Sequence, residues 1–575
     1  MKNFDISAIF NKIADLLEIR GDNPFRVRAY RKAAFNIETL GKDVSGLSTA
    51  DLMEIPGIGS DLASKIEEYL RSGRIDAYEK LRQEVPEGLA DLLNVPGLGP
   101  KTVALFYRQY KVKDLEELER LARDHRLAGL PGIKEKTEGN IIKGIEMLRR
   151  ASSHYPLGRI LPMAEEIARY LRDKAPVDRI DVAGSIRRWK ETVKDIDILS
   201  TSKDPGAVML AFTRMPGVKE TLMKGPTKSS VVMEEGIQVD IRVVEEDSYG
   251  SALAYFTGSK AHNIRLRELA AKAGMKLNEY GVFREKDGKK LGGREEGDIY
   301  RLLGLEYVPP ELREDTGEIE AAAERRLPRL VELSDIRGDL HLHTSWSDGS
   351  QSIEDLAETS IKRGYRYAAV TDHSKGLGVA HGLNEERILE QLKLIEGLNR
   401  RLKSFRVLSG VEINIKTDGS LDFDADLLRR LDIVVASVHS GFKQPGERIT
   451  KRIVTAMQNP YVSIIAHPTG RLIGEREAYE MDMDAVLQAA SRTGTAIEIN
   501  AYPLRLDLSE SYARAARAKN VPLVISTDSH TAGQFQNMAF GVGVARRGWL
   551  EKSDVANTLD CDGLLAVLQK KRLKK

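Results

Sequence analysis

Two sets of residues have the types and spacing of metal-dependent phosphoryl chemistry. The first lies in "KDIDILS" at 194–200, where Asp195 and Asp197 stand at i and i+2 of an apolar strand pattern. Alternate side chains of a strand share a face, so both carboxylates point the same way, as a pair of divalent cations about 3.5–4 Å apart requires. A third acid, Asp240, interrupts the apolar strand "GIQVDIRVV". Three such acids without a cation would repel one another and be costly to desolvate, which points to Mg²⁺. The second set opens in "GDLHLHTSWSDGS" at 338–350. His341 and His343 share one strand face there, and Asp348 follows in the loop.

The elements around the second set repeat. "RGDLHLHT", "YRYAAVTDH", "RVLSGVEINI", "LDIVVASVHS", "YVSIIAHPT", "TAIEIN" and "VPLVISTDSH" are apolar strand candidates with helical patterns between them. Seven βα units predict a barrel-like parallel arrangement. In six of the seven, a His, Asp or Glu stands at or just beyond the C-terminal end of the strand: His341 with His343, His373, Glu412, His439, His467, and Asp528 with His530. Active sites of α/β barrels gather at that end. With Asp348 added, the imidazoles and carboxylates suit two or three Zn²⁺, Mn²⁺ or Fe²⁺ ions, and ligand type alone does not choose among them. Clustered metals lower the pKa of bound water and clamp a phosphoester for in-line attack.

The amino-terminal half carries an internal repeat. "IPGIGSDLASKI" at 55–66 and "VPGLGPKTVALF" at 95–106 are followed by a weaker "LPGIKEKTEGNI" at 130–141, in which Lys134 replaces the second glycine. Each predicts two helices joined by a tight turn. Gly57 with Gly59, and Gly97 with Gly99, leave the turns without side chains, so backbone N–H groups at a helix N-terminus can grip a nucleic-acid phosphate without reading sequence.

At 575 residues the chain exceeds a single core. Its 88 Lys and Arg nearly balance 86 Asp and Glu, so net charge does not announce nucleic-acid binding and the motifs must. The single cysteine, Cys561, excludes an intramolecular disulfide and a Cys-rich zinc finger, which fits a reducing cytoplasm. The first residues read as an amphipathic helix and not a signal peptide, and no run approaches a membrane span. Only three of the ten histidines, His125, His154 and His262, precede residue 330.

Placed in order, these motifs resemble the family X DNA polymerases, the group that includes polymerase β. The resemblance is carried by the helix-hairpin-helix turns, by "VAGSIRRWKETVKDIDILS" with Asp240, by "YFTGSKAHNIRLRELA" at 255–270 and by "EYVPPELRE" at 306–314. It implies a nucleotidyltransferase palm in which Gly184, Ser185 and Arg188 meet the incoming triphosphate, Asp195 and Asp197 bind both metals, and Asp240 binds one metal and helps activate the primer 3′-hydroxyl. Tyr255, Phe256 and Gly258 would lie against the sugar, Asn263 at the minor-groove edge of the new base pair, and Arg267 on the template side. Lys65 matches the family's Schiff-base lysine for abasic 5′ ends, with Arg26 and Tyr30 as 5′-phosphate neighbours. Asp61, Lys194 and Gln238 depart from the better-known relatives. The order "HLH…D…TDH…E…H…H…DSH" resembles the PHP phosphoesterase superfamily, with all nine ligand positions filled; His381 is an additional histidine in a Gly-rich loop.

The expected architecture is multidomain, α+β and α/β. It comprises a helical lyase-like domain with the first helix-hairpin-helix at 1–80, a second helix-hairpin-helix domain at 81–153, the palm at 154–245, a thumb at 246–315, a linker at 316–334, and a distorted βα barrel of PHP type at 335–575. The expected function is a monomeric, cytoplasmic polymerase that takes dNTPs and gapped or primer–template DNA and fills short gaps in base excision repair. It would carry two Mg²⁺ in the palm and two or three Mn²⁺ or Zn²⁺ in a PHP 3′–5′ exonuclease, which would also act as an AP endonuclease or 3′-phosphatase. The competing readings are a polymerase with a structural, non-catalytic PHP domain, and a DNA-end-binding scaffold with weak polymerase activity.

Overall fold

The computed structural model describes residues 2–38, 44–55, 57–85, 88–93, 95, 98–131, 133, 135–151 and 154–574. The chain divides into two compact units, one of residues 1–153, 349–352 and 474–477 and one built from 154–348, 353–473 and 478–575.

The first unit is helical. Helix Lys2–Arg20 packs on Pro24–Glu38 through an apolar face in which Phe10 meets Tyr30 edge to face at 5.4 Å. Helices Thr49–Glu54 and Ser60–Ser72 form the first hairpin, the former opened by a capping box between Ser48 and Asp51. Helices Gly88–Leu92 and Pro100–Tyr110 form the second. Gly59 and Gly99 are the N-caps of the longer helices, and a Cβ on either would meet nothing within 4 Å, so both helix starts are open to an approaching anion. Gly97 and Lys134 lie outside the described residues.

The second unit begins with a five-stranded sheet in the spatial order Arg179–Val182, Asp195–Thr201, Gln238–Val243, Lys228–Met233, Val218–Lys224. Only the pair of Asp195–Thr201 with Gln238–Val243 is parallel. Ile196, Ile198, Val239 and Ile241 send their side chains into the core with helices Leu157–Lys174 and Pro205–Thr213. Helices Tyr249–Thr257 and Lys260–Lys272, a three-stranded sheet and helix Gly297–Leu302 follow. Segment 316–334 is folded: Glu318 is buried and accepts from His262 Nδ1 at 2.7 Å, and Val331 N donates to Leu550 O at 3.0 Å.

All seven expected barrel strands are present and parallel, neighbouring one another in chain order from Gly338–Leu342 to Leu523–Ser526. They are near-continuous apolar runs because parallel strands are covered on both faces. First and last strands lack a full ladder, and the seam is held by other groups. His343 N donates to Ser529 O at 2.9 Å, and Thr527 N donates to Asp339 Oδ1 at 3.1 Å. The buried Asn557 side chain donates to Gly338 O and Ile525 O, both at 2.8 Å, and accepts from Ile525 N at 3.0 Å. The palm packs on this barrel through Trp189, whose ring meets Phe540 at 5.9 Å and lies so close to Gly543 that a Cβ there would overlap it. No described helix is long and apolar enough to cross a membrane.

Asn557→Leu removes three hydrogen bonds and leaves buried backbone groups of both seam strands unpaired, a cost of about 3 kcal/mol. Denaturant unfolding followed by tryptophan fluorescence is expected to show that loss as a lower midpoint with an unchanged slope.

Candidate active sites

The palm acids come together through strand register. Asp197 lies directly opposite Asp240, and Asp195 opposite Gln238. Gly184, at φ 63°, starts the short helix Gly184–Arg187 so near Asp197 that a Cβ would strike the carboxylate. Desolvation, followed by the charges of Asp195 and Asp240, pushes Asp197 up to about 7. Desolvation and then Asp240 raise Asp195. A divalent cation relieves such repulsion. Asp240 is fixed from both sides: Ser230 Oγ donates to Oδ1, and Gln238 Nε2 donates to Oδ2 at 2.9 Å. Gln238, noted in the sequence only as a departure, thus aims the third acid.

Around this trio, Ser185 follows Gly184 on the same turn. Arg187 donates to Thr257 Oγ1 at 2.7 Å and pairs with both oxygens of Glu296 at 2.8 and 2.9 Å. Arg188 donates from Nε to Glu314 Oε1 at 3.0 Å and from Nη1 to Thr257 O. A Cβ on Gly258 would come within 3.1 Å of Arg188 Nη1. Tyr255 and Phe256 pack edge to face at 5.1 Å, with Arg242 over the Phe256 ring at 4.6 Å. Asn263 Nδ2 donates to Tyr255 O at 2.8 Å, and Tyr255, Asn263 and Arg267 line one pocket with Leu277 and Asn278.

In the helical unit, Lys65 Nζ is ion-paired with Asp61, one helical turn earlier. Arg26 is exposed and 3.6 Å from Asp22, whereas Tyr30 is 1% exposed. The Tyr30 ring packs in the core against Phe10, and its hydroxyl is buried without a hydrogen-bond partner.

At the C-terminal rim of the barrel all nine expected residues converge. Three overlapping groups have ligand atoms mutually within 4.8 Å: His343, Asp348, His373 and His530; His341, His343 and Asp528; His373, Glu412 and His439. His467 Nε2 stands 3.1 Å from Glu412 Oε1 and joins them. The side-chain atoms His341 Nε2, both ring nitrogens of His343, His373 Nδ1 and Glu412 Oε2 are buried without a hydrogen bond, although His373 Nδ1 is only 2.7 Å from Glu412 Oε2. Lone pairs that converge without bonding each other fit divalent cations as the missing partner. Burial, then the positive neighbours His530 and His373, depress His343 to about 3, so its ring stays neutral. Burial disfavours the Glu412 carboxylate, but His373, His439 and His341 outweigh it and hold the group well below the usual range. His467 and Asp528 adopt positive φ, 28° and 53°, backbone strain of the kind concentrated at functional sites. His381 is exposed and outside the cluster.

Other residues orient this cluster. Glu498, fully buried, accepts from His341 Nδ1 at 2.8 Å and from His467 N at 2.8 Å. That bond turns the His341 Nε2 lone pair toward the cluster. Asn414 Oδ1 lies 2.6 Å from His439 Nδ1. Glu498 belongs to "TAIEIN", the one strand to which the sequence assigned no ligand. A buried carboxylate between two isoleucines of the strand was the available signal.

Family models match as follows: helix-hairpin-helix domain, residues 1–75; SAM-like helix-hairpin-helix tandem, 89–147; DNA polymerase beta thumb, 252–314; PHP domain, 339–502. The chain is 41% identical over 572 residues, 99% of its length and 100% of the relative's, to the DNA polymerase/3′-5′ exonuclease PolX of Bacillus subtilis (strain 168). The chain belongs to the family X DNA polymerases. Within this family X chain, 343 residues are 28% identical to DNA polymerase lambda of Rattus norvegicus, covering 54% of the chain and 56% of that protein. A probable phosphatase of Thermoanaerobacter sp. (strain X514) is 31% identical over 248 residues, 41% of the chain and 96% of that protein.

If cations complete the histidine cluster, adding Mn²⁺ or Zn²⁺ to chelator-treated protein raises its unfolding temperature. About 2.7 kcal/mol is expected at a hundredfold excess over Kd. His343→Ala, which removes two converging nitrogens, is expected to abolish most of that shift in differential scanning calorimetry.

Proposed function

We infer that this chain fills short gaps during DNA repair as a monomeric, template-directed DNA polymerase and trims DNA 3′ ends with a metal-dependent exonuclease in its PHP half. The in-register Asp197–Asp240 pair beside Asp195 supports the polymerase reading most strongly, and full-length similarity to a DNA polymerase/3′-5′ exonuclease supports the pairing of activities.

Divalent cations held by Asp195, Asp197 and Asp240, two Mg²⁺ in this reading, would neutralise the triphosphate and polarise the primer hydroxyl. The side chains supply position. Ser185 and Arg188 hold the phosphates beside the Gly184 turn. Asp240, aimed by Ser230 and Gln238, takes the proton of the primer 3′-hydroxyl. Tyr255, Phe256 and Gly258 wall the sugar, while Asn263 and Arg267, at i and i+4 of one helix, meet the base pair and the template. Gly57, Gly59 and Gly99 let the hairpin turns approach the DNA backbone. Lys65 would cleave an abasic end only after its ion pair with Asp61 opens and the amine loses its proton.

At the barrel rim, two or three Mn²⁺ or Zn²⁺ ions held by His341, His343, Asp348, His373, Glu412, His439, His467, Asp528 and His530 would provide a water of lowered pKa and a clamp on the phosphoester. Glu498 and Asn414 keep the rings of His341 and His439 turned inward. Similarity to a probable phosphatase favours a terminal 3′-phosphate as a further substrate of this site.

The test compares wild type, Asp195→Ala/Asp197→Ala and His341→Ala on a labelled gapped duplex. With Mg²⁺ and dNTPs the palm variant is expected to lose extension by about a hundredfold or more. With Mn²⁺ alone it should still shorten the 3′ end, and His341→Ala should not. Shortening that survives His341→Ala would contradict the assignment of the nuclease to the barrel. Absence of shortening in wild type on every end tried, 3′-phosphate included, would favour a structural PHP half.

A further inference from the structure

Arg188 is not held by the palm and thumb alone. Its Nε donates to Glu314 Oε1 at 3.0 Å, and the same oxygen accepts from Arg547 Nη1 at 3.0 Å. Arg547 ends helix Met538–Arg547 of the barrel half, more than 230 residues further along the chain. Its Nη1 also donates to the backbone carbonyl of Arg188 at 2.7 Å, and its Nη2 to Glu510 Oε1 at 3.0 Å. The Arg547 side chain is 3% exposed, against 13% for Arg188 and 22% for Glu314.

This arrangement has a direct electrostatic consequence. Two guanidinium groups share one carboxylate oxygen, so Glu314 is divided between them and meets Arg188 side-on at Nε. Arg188 Nη1 is occupied by Thr257 O, and Nη2 has no protein partner among the described residues. Without Arg547, Glu314 loses the partner that fixes its Oε1 against Arg188 Nε, and the Arg188 guanidinium loses the charged anchor that sets its direction. The Arg188 carbonyl would also lose its donor, loosening the turn that carries Gly184 and Ser185.

We propose that Arg547, a residue of the PHP half, is a positioning residue for nucleotide incorporation: by holding Glu314 and the Arg188 carbonyl together, it presents Arg188 Nη2 to the incoming triphosphate. The proposal rests on the reading that Arg188 binds that triphosphate. It makes the barrel part of the polymerase site, apart from any nuclease work done at the histidine cluster of the barrel rim.

The experiment is steady-state single-nucleotide incorporation on a one-nucleotide gap, with full-length wild type, Arg188→Ala, Arg547→Met, Glu314→Gln and the double variant Arg188→Ala/Arg547→Met. Arg547→Met and Glu314→Gln are each expected to raise KM for the dNTP about tenfold, with a smaller change in kcat and unchanged gap-DNA affinity. In the Arg188→Ala background, Arg547→Met should add much less than it does in wild type, because most of its effect passes through the Arg188 side chain. An equal KM increase with and without Arg188 would overturn the proposal, as would a wild-type KM in both single variants. If Arg188→Ala itself leaves KM unchanged, the reading of Arg188 as a triphosphate ligand fails instead. Should Arg547→Met not fold, as a circular dichroism melt would reveal, the partly exposed Glu314→Gln decides alone.

Discussion

Acidic and imidazole side chains crowded together by the fold are the constraint on which both sites depend. In the palm, three carboxylates are forced together by strand register, and the middle one is pushed toward neutrality. At the barrel rim, buried nitrogens of His341, His343 and His373 and an oxygen of Glu412 lie close without bonding one another. Such clusters are expensive unless positive charge enters them. Much of the surrounding framework prevents their escape: Ser230 and Gln238 brace Asp240, and Glu498 and Asn414 brace the histidines.

The two clusters differ in chemistry in a way that suits one chain with two tasks. The palm offers only carboxylate oxygens, the donor set of hard, strongly hydrated cations. The barrel offers imidazole nitrogens beside carboxylates, the donor set of transition metals. Palm, thumb and barrel pack in one unit through Trp189 against Phe540 and Gly543, and through the paired arginines on Glu314. Both clusters are therefore borne by a continuous scaffold.

Much of this was legible in the sequence because the signals are local. A strand alternates its faces with period two, so Asp195 and Asp197 announce a shared face, and seven apolar runs with polar ends announce a barrel. The groups that steady the clustered side chains were not legible. Glu498 looks like one more residue of a strand, and only the folded barrel brings it to His341, 157 positions away. Asn557 closes the seam from a short 3₁₀ turn that has no periodic signature. The burial of Tyr30 was not legible either, since an aromatic residue among basic ones shows no local sign that helix packing turns its ring into the core. The pairing of Arg547 with Glu314 joins chain segments whose closeness no local pattern encodes.

The most direct test of cation-completed clusters is anomalous diffraction at the manganese absorption edge from crystals of the full chain grown with Mn²⁺. Two separated sets of peaks are expected, one among Asp195, Asp197 and Asp240 and one among the barrel histidines with Glu412, Asp348 and Asp528. Absence of anomalous density at either place, with the side chains hydrogen-bonded to one another or to water instead, would contradict the view that these residues are held apart for metal.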